Sequence, residues 1–211
     1  GAAGIQLTAT AADSTITNYG TIDGATFGIT SPRAVNIFNS SVDDGGNPSA
    51  GTIRGATGIS LSSAGSVVRN YGLIEGTGTN GISVTGGLVT FTNGAGAVVE
   101  KDVSLGNYVN AVTFEVGSKI TGNFTIGTGG STLDFTGPYP ANMATWNYIY
   151  ATVGGTTTLG PTTKVTFGND WAGMPYSLPI TENIVTLIDG AATTYSPATP
   201  AMHMAGGDWF R

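Results

Sequence analysis

The chain is expected to be all-β, a parallel β-helix (β-solenoid) with three short strands per coil. Three observations lead there: a unit that returns four times in the first hundred residues, an apolar/polar alternation of period two, and the lack of any stretch suited to a helix of normal length. Each unit opens on Gly-Ile, runs through an apolar residue to an Asn, and closes on a Gly-x-Ile-x-Gly turn. Gly4-Ile5, Gly28-Ile29, Gly58-Ile59 and Gly81-Ile82 are the openings, and Asn18, Asn39, Asn70 and Asn93 hold matching places inside the units.

Aligning the units produces three apolar columns, one for each face of a coil. Ile5, Ile29, Ile59 and Ile82 form the first. Ile16, Ile37, Val68 and Phe91, two residues before each Asn, form the second, and Ile22, Ile53, Ile74 and Val98 form the third. Between the columns the chain alternates, as in Ile5-Gln6-Leu7 and Ile82-Ser83-Val84, which suits a short strand with one side buried. Each turn of about 21 to 25 residues would then shield the interior of the next, and about eight turns would span roughly 40 Å.

The Asn residues share parity with the inward residues before them, so their amides are expected to point inward at a bend and bond along the axis. Asn18, Asn39, Asn70 and Asn93 are therefore read as a structural ladder of the kind that stabilises stacked β-strands. Gly20, Gly24, Gly55, Gly72 and Gly76 are expected to supply positive φ at the corners, which accounts for part of the 34 glycines among 211 residues.

Residues 1–137 read as regular coils and residues 138–211 as less regular C-terminal coils with an aromatic-rich cap. One insertion interrupts the regular part at about 41–50, where Asp43, Asp44 and Asn47 lie in a polar loop. Loops on rigid scaffolds often carry function, so these three residues form the candidate partner-contact loop. The last third contains Trp146, Trp171 and Trp209, with Trp146, Tyr148 and Tyr150 on one side of a strand. Covering an open solenoid end needs such large residues. An aromatic sugar platform would use the same ones, and capping is the preferred reading.

Charged residues make up only 9% of the chain, against about 25% in ordinary domains. Net charge is −6, which argues against nucleic acid or an anionic membrane as partner. Without cysteine there is neither a disulfide framework nor a thiolate metal site. With no run of eighteen apolar residues, no initiator Met and no signal peptide, the chain reads as a portion of a longer protein.

Many β-helices are polysaccharide lyases or hydrolases, which need clustered carboxylates, often with calcium. The outward position before the closing Gly holds Asp23, Arg54 and Glu75 in consecutive units. This row is read as a surface ion ladder contributing about 0.2 to 1 kcal/mol per pair, because a central Arg offsets the charge that calcium would require. Asp43-Asp44 lacks the spaced acids of a calcium loop, and His203, the only histidine, has no Gly-x-Ser-x-Gly elbow near it. No catalytic, cofactor-binding or metal residue is assigned, and no cofactor is expected. An ice-binding face would need regular Thr ranks, which Thr17, Phe38, Arg69 and Thr92 at equivalent outward positions do not supply.

Asn18-Tyr19-Gly20-Thr21-Ile22-Asp23-Gly24 and Asn70-Tyr71-Gly72-Leu73-Ile74-Glu75-Gly76 resemble the Asn-x-Gly-x-Ile-x-Gly coils of bacterial autotransporter passenger domains. Gly122-Asn123-Phe124 through Leu133-Asp134-Phe135 resembles the coil that often precedes the end of such a passenger, and Trp146-Asn147-Tyr148-Ile149-Tyr150 resembles the family's aromatic strand. The resemblance implies a right-handed β-helix exported by type V secretion and held outside the outer membrane of a Gram-negative cell. It further implies a rigid stalk and adhesin or virulence factor without catalysis, joined in the parent protein to its own translocator barrel. Expected partners are a host cell surface or extracellular matrix component, or a second cell through self-association. A polysaccharide-degrading enzyme and a passive spacer for an upstream domain are the alternatives.

Overall fold

The computed structural model describes residues 1–10, 14–40, 50–115, 117–136, 151–160, 163–167 and 188–195. Among them every regular element is a β-strand, and parallel pairing winds these strands into a β-solenoid of about five turns. The expected eight turns cover the whole chain, whereas these turns are those of the described residues. Coil lengths in fact vary, with 21 residues from Asn18 to Asn39, 31 from Asn39 to Asn70 and 23 from Asn70 to Asn93.

Strand register sets the columns residue by residue. On the first face Ile5 pairs with Ile29, Ile29 with Ile59, Ile59 with Ile82, Ile82 with Val103 and Val103 with Phe124. On the second Ile16, Ile37, Val68, Phe91, Val112 and Leu133 follow one another. On the third the order is Ile22, Ile53, Ile74, Val99 and Ile120. β-Branched residues dominate because they fit a pleated strand with one buried side, and from the second coil onward all of these side chains are buried. Ile5, Leu7, Ile16 and Ile22 in the first coil are only partly covered, having a neighbouring coil on one side alone.

Three details differ from the sequence expectation. Val99, not Val98, occupies the third column: Val98 pairs with Leu73 and stands half-buried, whereas Val99 is fully buried. The first and third faces also share one 11-stranded sheet, because long strands such as Leu73–Val84 and Val98–Ser104 run through the corner between them; the second face is a separate 7-stranded sheet. Finally, positive φ occurs at Gly65, Gly96, Gly106, Gly117 and Gly130, not at the five corner glycines expected to need it. Gly24, Gly55, Gly72 and Gly76 serve close approach instead, since a Cβ on any of them would run into backbone atoms. Gly20 has open space around it.

The third-face corner tightens along the axis. Four residues, Gly76 to Thr79, separate the paired positions Glu75 and Asn80, whereas Lys101 alone separates their partners Glu100 and Asp102. The single-residue bend places Lys101 at φ 74°, a left-handed conformation costly for a side chain with a Cβ. Its N–H donates to Thr121 Oγ1 at 2.8 Å, and the next residue, Asp102, accepts from the Asn123 backbone N–H at 2.8 Å and its side-chain amide at 3.1 Å. These bonds to the following coil hold the bend.

Ile74→Asp places an unpaired carboxylate in the third column, at a cost of at least several kcal/mol. The variant is expected to show no cooperative thermal transition by circular dichroism, and wild-type-like melting would contradict this register.

Candidate functional site

Two kinds of polar residue recur along the coils, one inside and one outside. Inside, Asn18 Nδ2 donates to Asn39 Oδ1 at 2.8 Å, Asn39 Nδ2 to Asn70 Oδ1 at 2.9 Å, and Asn70 Nδ2 to Asn93 Oδ1 at 2.9 Å. Each amide nitrogen also reaches backbone carbonyls. Asn39 donates to Gly51 O and Leu73 O, Asn70 to Val98 O, and Asn93 to Ala97 O and Lys119 O. All four side chains are buried, so these bonds satisfy polar groups that water does not reach. The row is a structural part of the coil and presents nothing to a ligand.

Outside, Asp23 pairs in register with Arg54 and Arg54 with Glu75. An ion pair joins Arg54 Nε to Glu75 at 3.3 Å. It is partly solvated, which limits it to about 0.2 to 1 kcal/mol. The structure adds a fourth member, Glu100, directly beside Glu75. Sequence alignment missed Glu100 because placing Val98 in the column shifts the outward position by one residue. Two neighbouring carboxylates, one engaged by Arg54, form no metal cradle, and no group of three acidic or histidine ligands occurs among the described residues.

A third arrangement lies on the outer face of the second sheet, where the sequence aligns Thr17, Phe38, Arg69 and Thr92 but gives no sign of the contacts that Tyr71 and Glu115 add. Its outward rank runs Thr17, Phe38, Arg69, Thr92, Thr113 and Asp134. Phe38 and Tyr71 meet with ring centroids 5.6 Å apart and planes tilted by 45°. The Tyr71 ring lies against Gly94 in the next coil, where a Cβ would collide with it. From there the phenol donates to Glu115 Oε1 at 3.2 Å, one further coil on, while Glu115 Oε2 accepts from the Ala95 N–H at 3.0 Å. Burial, the Glu115 charge and the hydrogen bond to it together hold the Tyr71 phenol above its ordinary value, against a smaller opposing effect of the Arg69 cation. Arg69 itself is exposed, with no carboxylate within salt-bridge distance among the described residues.

This patch adjoins the root of the polar loop. Asp43, Asp44 and Asn47 lie outside the described residues, as do Trp146, Tyr148, Tyr150, Trp171, His203 and Trp209. The flanks of residues 41–49 are described: the Gly51 N–H donates to Ser40 O at 2.7 Å, so the two flanks meet. Ser40 follows Phe38 by two residues and stands beside Tyr71 in the stack, whose N–H donates to Asn39 O. Comparison of the chain with known protein families, characterised proteins and solved structures returns no match.

Two measurements check these roles. Asn70→Ala leaves Asn93 Oδ1 and the Gly72 N–H without the partners they have now, and unfolding in denaturant is expected to show a loss on the order of 3 kcal/mol. For Tyr71, a folded-state value raised above the unfolded one gives stability that is complete below the unfolded value, near 10, and is lost as pH rises through the folded one. Tyr71→Phe is therefore expected to show a flatter fall in stability above about pH 10 than the parent chain.

Proposed function

We propose that this chain is a segment of an autotransporter passenger, exported by type V secretion and displayed on the bacterial surface as a rigid stalk with an adhesive face. The observation that supports it best is the patch of Phe38, Arg69, Tyr71 and Glu115. Its aromatic and charged side chains project from coils whose interior is locked by the Asn ladder, beside the root of a polar loop. Aromatic residues and Arg are enriched where proteins bind one another, because they offer large contact area at low entropic cost. The stalk role rests on geometry: about five turns extend roughly 24 Å along the axis. Partners in this reading are a host cell surface or matrix component, or a second cell bearing the same protein, and the parent protein's translocator barrel anchors it in the outer membrane.

The test is a binding screen of the purified chain against host cells and matrix proteins. It runs beside a variant in which residues 41–50 are replaced by a short turn, a change the Ser40–Gly51 hydrogen bond should tolerate. Retention of the parent chain, reduced at least tenfold in the variant, is the expected result. Retention of neither favours a passive spacer, and depolymerisation of an acidic polysaccharide on adding calcium would favour the enzyme.

A further inference from the structure

We infer that the outer face of the second sheet binds a short glycan through one carboxylated sugar, with Arg69 taking the carboxylate and Phe38 and Tyr71 stacking against the ring. The inference rests on the adhesive reading above and names the ligand class of the same patch. Phe38 and Arg69 are Cα partners in adjoining coils, so their side chains leave the sheet at neighbouring outward positions. Tyr71, two residues after Arg69, stands close enough for the Arg69 charge to act on its phenol.

Each component matches one feature of such a sugar. An aromatic face carries partial negative charge and accepts the polarised C–H groups of a pyranose ring. A guanidinium offers a planar fork that fits a carboxylate through two hydrogen bonds. Arg69 is exposed and without an anionic partner among the described residues, so its charge is open to a ligand. Thr92 and Thr113 continue the rank beyond Arg69, half-buried, with hydroxyls placed for the remaining sugar oxygens. From the Phe38 strand to the Glu115 strand is three strand spacings, roughly 14 Å, which holds a short oligosaccharide. Tyr71 is fixed by Gly94 behind it and Glu115 at its tip, so its ring needs no ordering on binding. A densely sulfated chain fits poorly, because the outward rank of this sheet holds one cation, Arg69, on a chain with thirteen acidic and seven basic residues.

The experiment is calorimetric titration of the intact chain with a short oligogalacturonate, its methyl ester and a heparin oligosaccharide. The methyl ester keeps the ring and removes the charge. The acid is expected to bind at least tenfold more tightly than the ester. Arg69→Gln should abolish that preference without shifting the thermal unfolding midpoint, and Phe38→Ser should weaken the acid and the ester alike. Equal binding of acid and ester, full retention by Arg69→Gln, tighter binding of heparin, or no saccharide binding would each overturn the assignment. A chain that still binds cells or matrix proteins but no saccharide loses only this inference, whereas one that binds nothing loses the adhesive reading as well.

Discussion

The fold depends on satisfying one buried amide per coil. An Asn side chain at an inward corner has no water to bond, so its N–H groups and its carbonyl must find partners along the axis. Asn18, Asn39, Asn70 and Asn93 do this only when Asn stands opposite Asn, which their register provides. Slipping a strand by one residue would turn every inward side chain outward and leave the amides unpaired. An apolar column tolerates small shifts because dispersion is non-directional, whereas an amide ladder does not. The ladder thus fixes the register, and the register decides which residues face outward.

The ladder ends where Asn93 pairs with Phe114. Asn93 turns its amide to Ala97 O and Lys119 O, and Phe114 packs edge-on against Phe91 and Phe124 at 6.5 and 5.1 Å. A second corner carries polar bonds along the stack, beginning in the earlier coils with the Val35 N–H donating to Ser66 Oγ at 3.3 Å. Asn110 Oδ1 accepts from the Val89 N–H, its amide donates to Leu105 O and Tyr108 O, and its own N–H donates to Ser131 Oγ. Two separate corners therefore carry directional bonds, and the second continues past the end of the Asn ladder. The substitution of Phe for Asn is tolerated because another buried amide has already taken over the register.

The columns were legible because each holds one residue type through several coils, which a linear reading can count. The failures came where geometry is non-local. Val99 comes six positions after Asn93, while Ile74 comes four after Asn70, and the Asn93-Gly94 and Gly96 turn signals of the longer corner do not state its length. Glu100 was missed for the same reason. The corner glycines were recognised as necessary but given the wrong cause, since close approach depends on the backbone of the neighbouring coil. Tyr71 and Glu115 are 44 residues apart, two coils along the stack, and nothing in the intervening sequence announces their contact.

The same division explains why an outward-facing patch leaves so faint a trace in this kind of sequence. Along the second sheet the inward rank stays apolar from Ile16 to Leu133, whereas the outward rank, from Thr17 through Phe38 and Arg69 to Asp134, keeps the same residue only between Thr92 and Thr113. Stability comes from the inward rank, so outward residues can change with little effect on the fold, as expected for half-exposed sites away from special contacts. Periodicity therefore reports the scaffold, and departures from periodicity report the surface. Phe38 and Arg69 break a run of threonines, and Tyr71 is matched to a glycine that makes room for its ring. An exposed Arg69 in register with Phe38 and two residues from Tyr71, set on coils whose register the Asn ladder fixes, is the sharpest departure from periodicity on this face.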